Sequence, residues 1–211
     1  MQPIIVSVGP LVAANDQTIA AAQSPTGTSF TLTANPVTLD APRQVVITSA
    51  GDDSGISFVI TGTTFSGQAA SETVAGTNAS TSTSTLMFAT VSSIVATGAI
   101  AGAVKAGTTG VATSRWVRFD SWANAQSAVQ VDVSGSVNYT VQVTMDDPND
   151  PISPVTPINC TWLSSPDTNV VGQTAAKFSN FAYTPTFARV LLNSGSGTAT
   201  ATFAQFSNAP Y

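Results

Sequence analysis

Two neighbouring stretches decide the fold class: Ala128–Ser134, A-V-Q-V-D-V-S, and Val137–Met145, V-N-Y-T-V-Q-V-T-M. Apolar and polar residues alternate along both. A strand buried on one face reads this way, because successive side chains point to opposite sides of the sheet. Gly135 lies between them, so the pair is expected to form a β-hairpin.

The same reading extends outward. Ser29–Thr33 (S-F-T-L-T) places Phe30 and Leu32 inward, Gln44–Ser49 places Val45 and Ile47 on one face, and Ile56–Thr61 does the same with Ile56, Phe58 and Ile60. Gly51-Asp52-Asp53-Ser54-Gly55 is a turn cluster, because glycine admits positive φ and Asp or Ser side chains bond their own backbone. It predicts a hairpin between Gln44–Ser49 and Ile56–Thr61. A second hairpin runs from Phe58–Thr63 through Phe65-Ser66-Gly67-Gln68 into Ala70–Val74. Ala75–Thr85 is a low-complexity Ser/Thr run, read as a loop or an edge strand. Val91–Ala96 and Ala101–Lys105 are expected to pair about Gly98. Only Val12–Ala22 has helix-favouring alanines over about three turns. It reads as a short helix, with a loop or arm as the alternative.

Asp146–Pro157 carries four prolines and three aspartates, which makes it an exposed connection. Strand signals resume at Asn159–Leu163, then Phe187–Leu192 and Thr198–Phe206, with turns at Ser164–Asp167 and Asn193–Gly197. Gly107–Thr113 has no strong core residue and reads as a boundary. The expected architecture is all-β with little helix: two sandwich-like or barrel-like domains of antiparallel strands, at 1–110 and 111–211. One continuous sandwich with a long insertion is the alternative.

Composition narrows the function. The chain has 211 residues, 43% of them hydrophobic and only 8% charged, with a net charge of −5, no histidine, one cysteine (Cys160) and one glutamate (Glu72). Nucleic-acid binding needs clustered Lys and Arg to replace counterions, and the chain has six in all. Without imidazole, Ser–His–Asp and Cys–His nucleophiles fail. Zinc sites need clustered Cys or His. No run approaches the roughly 20 apolar residues of a membrane-spanning helix, and M-Q-P-I-I-V-S-V-G-P lacks the basic start of a signal peptide. The abundant Val, Thr and Phe argue against a disordered chain. The residues thus point to a structural or binding role, with no catalytic, cofactor or metal site, no nucleic-acid partner and no membrane.

Candidate residues follow from what remains. Asp146, Asp147, Asp150 and Asp167 are the one acidic constellation, a set of hard oxygen ligands of the kind Ca²⁺ takes, but D-D-P-N-D lacks the order of an EF-hand loop. They read as a solvated loop, and Asp52 and Asp53 as turn residues. Trp116, Trp122 and Trp162 are expected in core or interface rather than in a sugar groove. Arg115 and Arg118 are three apart, so on a strand they face opposite sides and form no single anion site. Arg43, Arg115, Arg118 and Arg189 are expected to anchor loops or to pair with Asp across subunits. The sequons at Asn78, Asn138 and Asn159 are what a Ser/Thr-rich chain produces by chance. Cys160 reads as a small buried hydrophobe.

Several phrases resemble the virion structural proteins of tailed bacteriophages. They are A-P-R-Q-V-V-I-T-S-A-G-D-D-S-G-I-S-F-V-I-T-G-T (41–63), G-Q-A-A-S-E-T-V-A-G (67–76), residues 129–151 with W-L-S-S-P (162–166), and Y-T-P-T-F-A-R-V-L-L-N-S-G-S-G-T-A-T-A-T-F-A-Q (183–205). The resemblance implies a non-enzymatic capsid decoration or cement protein on the outer surface of the virion. It implies the major capsid protein as partner and a homo-oligomer, a trimer being favoured. A head–tail adaptor or tail component, or a glycan-binding attachment module, are the other readings. Residues 1–8 are expected to act as an arm or an added strand on a neighbouring subunit.

Overall fold

The computed structural model describes residues 3–120 and 126–206. Among them there is no α-helix, only short 3-10 turns at Pro157–Asn159 and Thr168–Val170. The fold is all-β and sandwich-like, and every strand pairing within each of its two units is antiparallel. The chain forms two compact units, one of residues 1–11 with 113–211 and the other of residues 12–112. Residues 1–11, expected with the first domain, belong to the second. The division near 110 falls inside a strand, because Gly107–Thr113 is not a loop. Small side chains there are core: Ala112 is buried, as is Ala106 just before the stretch.

In the unit of residues 12–112 the strands are β2 (Asn15–Gln23), β3 (Val37–Ser49), β4 (Ser57–Thr63), β5 (Ala69–Ala75), β6 (Thr81–Thr83), β7 (Phe88–Ala96) and most of β8 (Val104–Thr113). The sheet order is β8-β3-β7-β4-β5, with β2 on β8 and β6 on β3. The β4–β5 hairpin forms as the sequence predicts, with Thr63 opposite Ala69. The two other expected hairpins do not form. β7 lies between β3 and β4, and β3 lies between β7 and β8. The Gly51–Gly55 turn and the Gly98 bend therefore end strands without joining neighbours. Part of the Ser/Thr run becomes β6, which pairs Val46–Thr48 of β3. Val12–Ala22 is no helix: β-branched Thr18 and Ile19 lie in β2, whose irregular register buries Ile19 and Ala20 in succession. Ser29–Thr33 contributes a single bridge, Ser29 to Val95, and lays Phe30 edge-on to Phe58 at 6.0 Å. Val45, Ile47, Phe58, Ile60, Val91 and Ile94 complete the core.

The other unit contains β1 (Ile4–Val8), β9 (Val117–Arg118), β10 (Gln126–Ser134), β11 (Val137–Thr144), β12 (Leu163–Ser164), β13 (Lys177–Phe181), β14 (Phe187–Gly195) and β15 (Thr198–Phe206). One sheet runs β1-β15-β10-β13, and a second path runs β12-β11-β14 with β9 on β14. The expected β10–β11 hairpin is absent, since β10 pairs β13 and β15 while β11 pairs β12 and β14. Asn159–Leu163 is mostly turn and coil, because Pro157 opens a 3-10 turn there. β1 pairs β15 of its own chain, Ile5 opposite Thr202, so residues 4–8 are an in-place edge strand and not a detached arm. Alternation gives this unit its core: Val129, Val131, Ala199, Ala201 and Phe203 from one sheet, and Tyr139, Val141, Ala188, Val190 and Leu192 from the other. Phe119 adds edge-on contacts to Phe181 and Phe203.

Candidate functional site

The alternation that buries Ala188 and Val190 turns Phe187 and Arg189 to the opposite face of β14. Strand register then gathers partners on that face. Gln142 of β11 stands opposite Arg189, and Arg118 of β9 stands opposite Phe187. Trp116 is two residues before Arg118 and so shares its side.

The result is a continuous ladder of cations and rings. Arg118 lies over Phe187 at 5.6 Å, Phe187 meets Trp116 edge-on at 5.7 Å, Trp116 meets Trp162 at 4.8 Å, and Arg189 lies over Trp162 at 4.1 Å. Edge-on ring pairs and cation–π contacts each contribute about 0.5–1.5 kcal/mol beyond area burial. The ends differ. Arg118 is paired with Asp147 at 2.8 Å. Arg189 donates Nε–H to Gln142 Oε1 at 2.9 Å and makes no ion pair among the described residues. Burial lowers the Arg189 guanidinium to about 9, the nearby Cys160 acting the other way. Burial, with Asp146 adding, pushes the Cys160 thiol up to about 11. Exposed apolar side chains lie on the adjoining segments, Met145 after β11 and Leu163 on β12.

The predicted candidates fall into place around this. The four loop aspartates do not converge; no set of three acidic, Cys or His residues suited to a metal exists among the described residues. Each accepts hydrogen bonds of its own instead. Asp146 accepts from Thr161 N, Asp147 from Asn149 N, Asp150 from Ile152 and Ser153 N, and Asp167 from Asn169 N and Ser179 Oγ. These bonds keep Asp150 and Asp167 below the usual carboxylate range, backbone donors leading in both. Asp52 is a turn residue, lowered by Ser54. Asp53 does something the turn pattern does not foretell: it is buried and accepts from Ala101 N at 2.8 Å, joining two turns 48 positions apart.

Arg43 is also buried. It pairs with Asp40 at 2.9 Å and donates to the carbonyls of Val12 and Thr109. Arg115 is exposed and is not gathered with Arg118. Asn138 spends its amide on Gly172 and Asn193. Trp122 lies outside the described residues. A surface cleft of about 480 Å³ is lined by Ala14, Asn15, Asp16, Val46, Thr108 and Thr109, and its one acid is paired with Lys105 at 2.7 Å.

No protein-family model, curated protein or solved structure matches this chain.

The ladder itself escapes a sequence reading. Its members come from four segments, successive ones 20 to 25 positions apart, and only the paired register of β9, β14 and β11 brings them together. The one available signal was Trp116 between two arginines in R-W-V-R-F-D.

Proposed function

We propose that this chain is a non-enzymatic structural protein of a tailed-bacteriophage virion, a capsid decoration or cement protein that binds the major capsid protein on the outer surface of the head as a homotrimer. The reading begins with the resemblance of the strand and turn phrases. The observation that carries it further is the solvent face of the β1-β15-β10-β13 sheet. Register lays Ile5, Thr202, Gln130 and Phe178 in one row across it, and Ser7, Thr200 and Asp132 in the next. Ile5 and Phe178, at the two ends of the first row, are each 66% exposed. A face of hydroxyls and amides bounded by large apolar residues suits repeated contact with neighbours. Few charges must be desolvated there, and desolvation is what makes charged contacts costly. Symmetric copies then multiply a weak contact.

Copy number per purified virion, measured by quantitative mass spectrometry against the major capsid protein, tests the reading. Hundreds of copies support decoration. A dozen or so assign the chain to the head–tail axis or tail. Absence from the particle removes the structural reading and makes glycan binding the next test. Light scattering on the purified chain tests the trimer.

A further inference from the structure

Asp53 is 2% exposed, yet it forms no ion pair among the described residues. Its Oδ1 accepts from Ala101 N at 2.8 Å. Its Oδ2 is the one carboxylate oxygen buried without a partner among the described residues. Thr77 stands opposite. Asp52 bridges Asn78, and Asp53 N donates to Thr77 O at 3.0 Å, so the side chains of Asp53 and Thr77 leave the ladder on the same side. Thr77 Oγ1 is also buried without a partner. Three turns meet at this corner, for Ala79 N donates to Gly51 O at 2.8 Å and Ala50 N to Ala103 O at 2.9 Å.

Two unpartnered oxygens, one of them on a carboxylate, thus share a buried corner. Buried charges are paired or coordinate metals. A water between the two would serve their hydrogen bonds and leave the charge, whereas a cation answers both. Carboxylate and hydroxyl oxygens are the donors that a hard cation takes. We propose that Asp53 Oδ2 and Thr77 Oγ1 are two ligands of a Ca²⁺ site, whose shell is completed by main-chain carbonyls of the same turns and by water. The cation ties the three turns together and acts as a structural staple of the unit of residues 12–112. The inference does not rest on the assembly reading, and its test uses no particle.

The whole protein, stripped with EGTA and dialysed, is titrated with calcium chloride and followed by isothermal calorimetry and ¹H–¹⁵N NMR. Saturable binding is expected, with the largest shifts at the amides of Asp53, Thr77 and Ala101. The melting temperature is expected to rise with Ca²⁺ concentration, as mass action requires of a ligand that binds the folded state. Asp53→Asn keeps an acceptor for Ala101 N while removing the charge, and is expected to fold and to lose the binding. Thr77→Val is expected to weaken binding at least about tenfold. Asp150→Asn, in the exposed Asp146–Pro157 connection, is expected to leave it unchanged. No saturable binding overturns the proposal, and so does binding that Asp53→Asn retains in full or that Asp150→Asn removes.

Discussion

Ser134 and Val137 are three positions apart and stand in different sheets: Ser134 is opposite Thr198 on β15, and Val137 is opposite Gly195 on β14. The chain crosses between sheets a second time between β14 and β15, and the two crossings touch. Gly197 N donates to Ser136 O at 2.9 Å. A methyl group on Gly197 would collide with the Ser134 carbonyl, and one on Gly195 with that of Ser136. Gly195 also holds φ at +110°, where side chains are strained.

Gly195→Ala and Gly197→Ala are therefore expected to destabilise the unit of residues 1–11 and 113–211 by about 1–3 kcal/mol each. Urea midpoints read the loss. Gly110→Ala serves as the control, because nothing lies within 4 Å of its added methyl and its φ is not positive.

Asp40→Ala leaves Arg43, 2% exposed, without its counter-ion. Removing one partner of such a pair costs about 3 kcal/mol, and the quarter-exposed Asp40 places this case at the low end. Arg43→Met with Asp40→Ala is expected to recover part of the loss, since no unpaired charge then remains. A double-mutant cycle in urea checks both.

Asp167 predicts the acid response. Its folded pKa lies below the ordinary value of 3.8, held down first by Asn169 N–H and then by Ser179 O–H. A depressed carboxyl adds stability that is present above the unfolded pKa and lost as pH falls through the folded one. Stability is expected to be level above about pH 5 and to fall below 3.8. Asp167→Asn, compared by acid titration of tryptophan fluorescence, is expected to reduce the slope below that value. An unchanged slope removes Asp167 as a contributor.

Cys160 is half-buried with its thiol raised to about 11, so little thiolate exists near neutrality. Native protein at pH 8 is expected to react with a thiol-specific disulfide reagent at least about tenfold more slowly than protein in urea, because thiolate is the nucleophile. Equal rates overturn this.

Strand identity was legible along most of the chain because alternation is local. Val45 and Ile47, Phe58 and Ile60, and Val129 and Val131 are buried as their spacing predicts. The β4–β5 hairpin was legible too, since Gly67 turns the chain back with Gly67 N bonded to Thr64 O. β2 was missed because its alanines favour helix while its partner, β8, lies some ninety positions away. The ladder from Arg118 to Arg189 was illegible for the same reason.

By itself the sequence determined that the chain builds sheets and which faces of its strands are buried. These follow from alternation and composition, both properties of single residues or near neighbours. Only the tertiary structure decided which strands pair. A short glycine linker serves equally for a hairpin and for a crossing between sheets, so Gly135 could not tell β10 that its partners are β15 and β13 rather than β11. That choice belongs to packing between distant segments. It set Trp162 beneath Arg189 and, among the described residues, gave that arginine no ion pair.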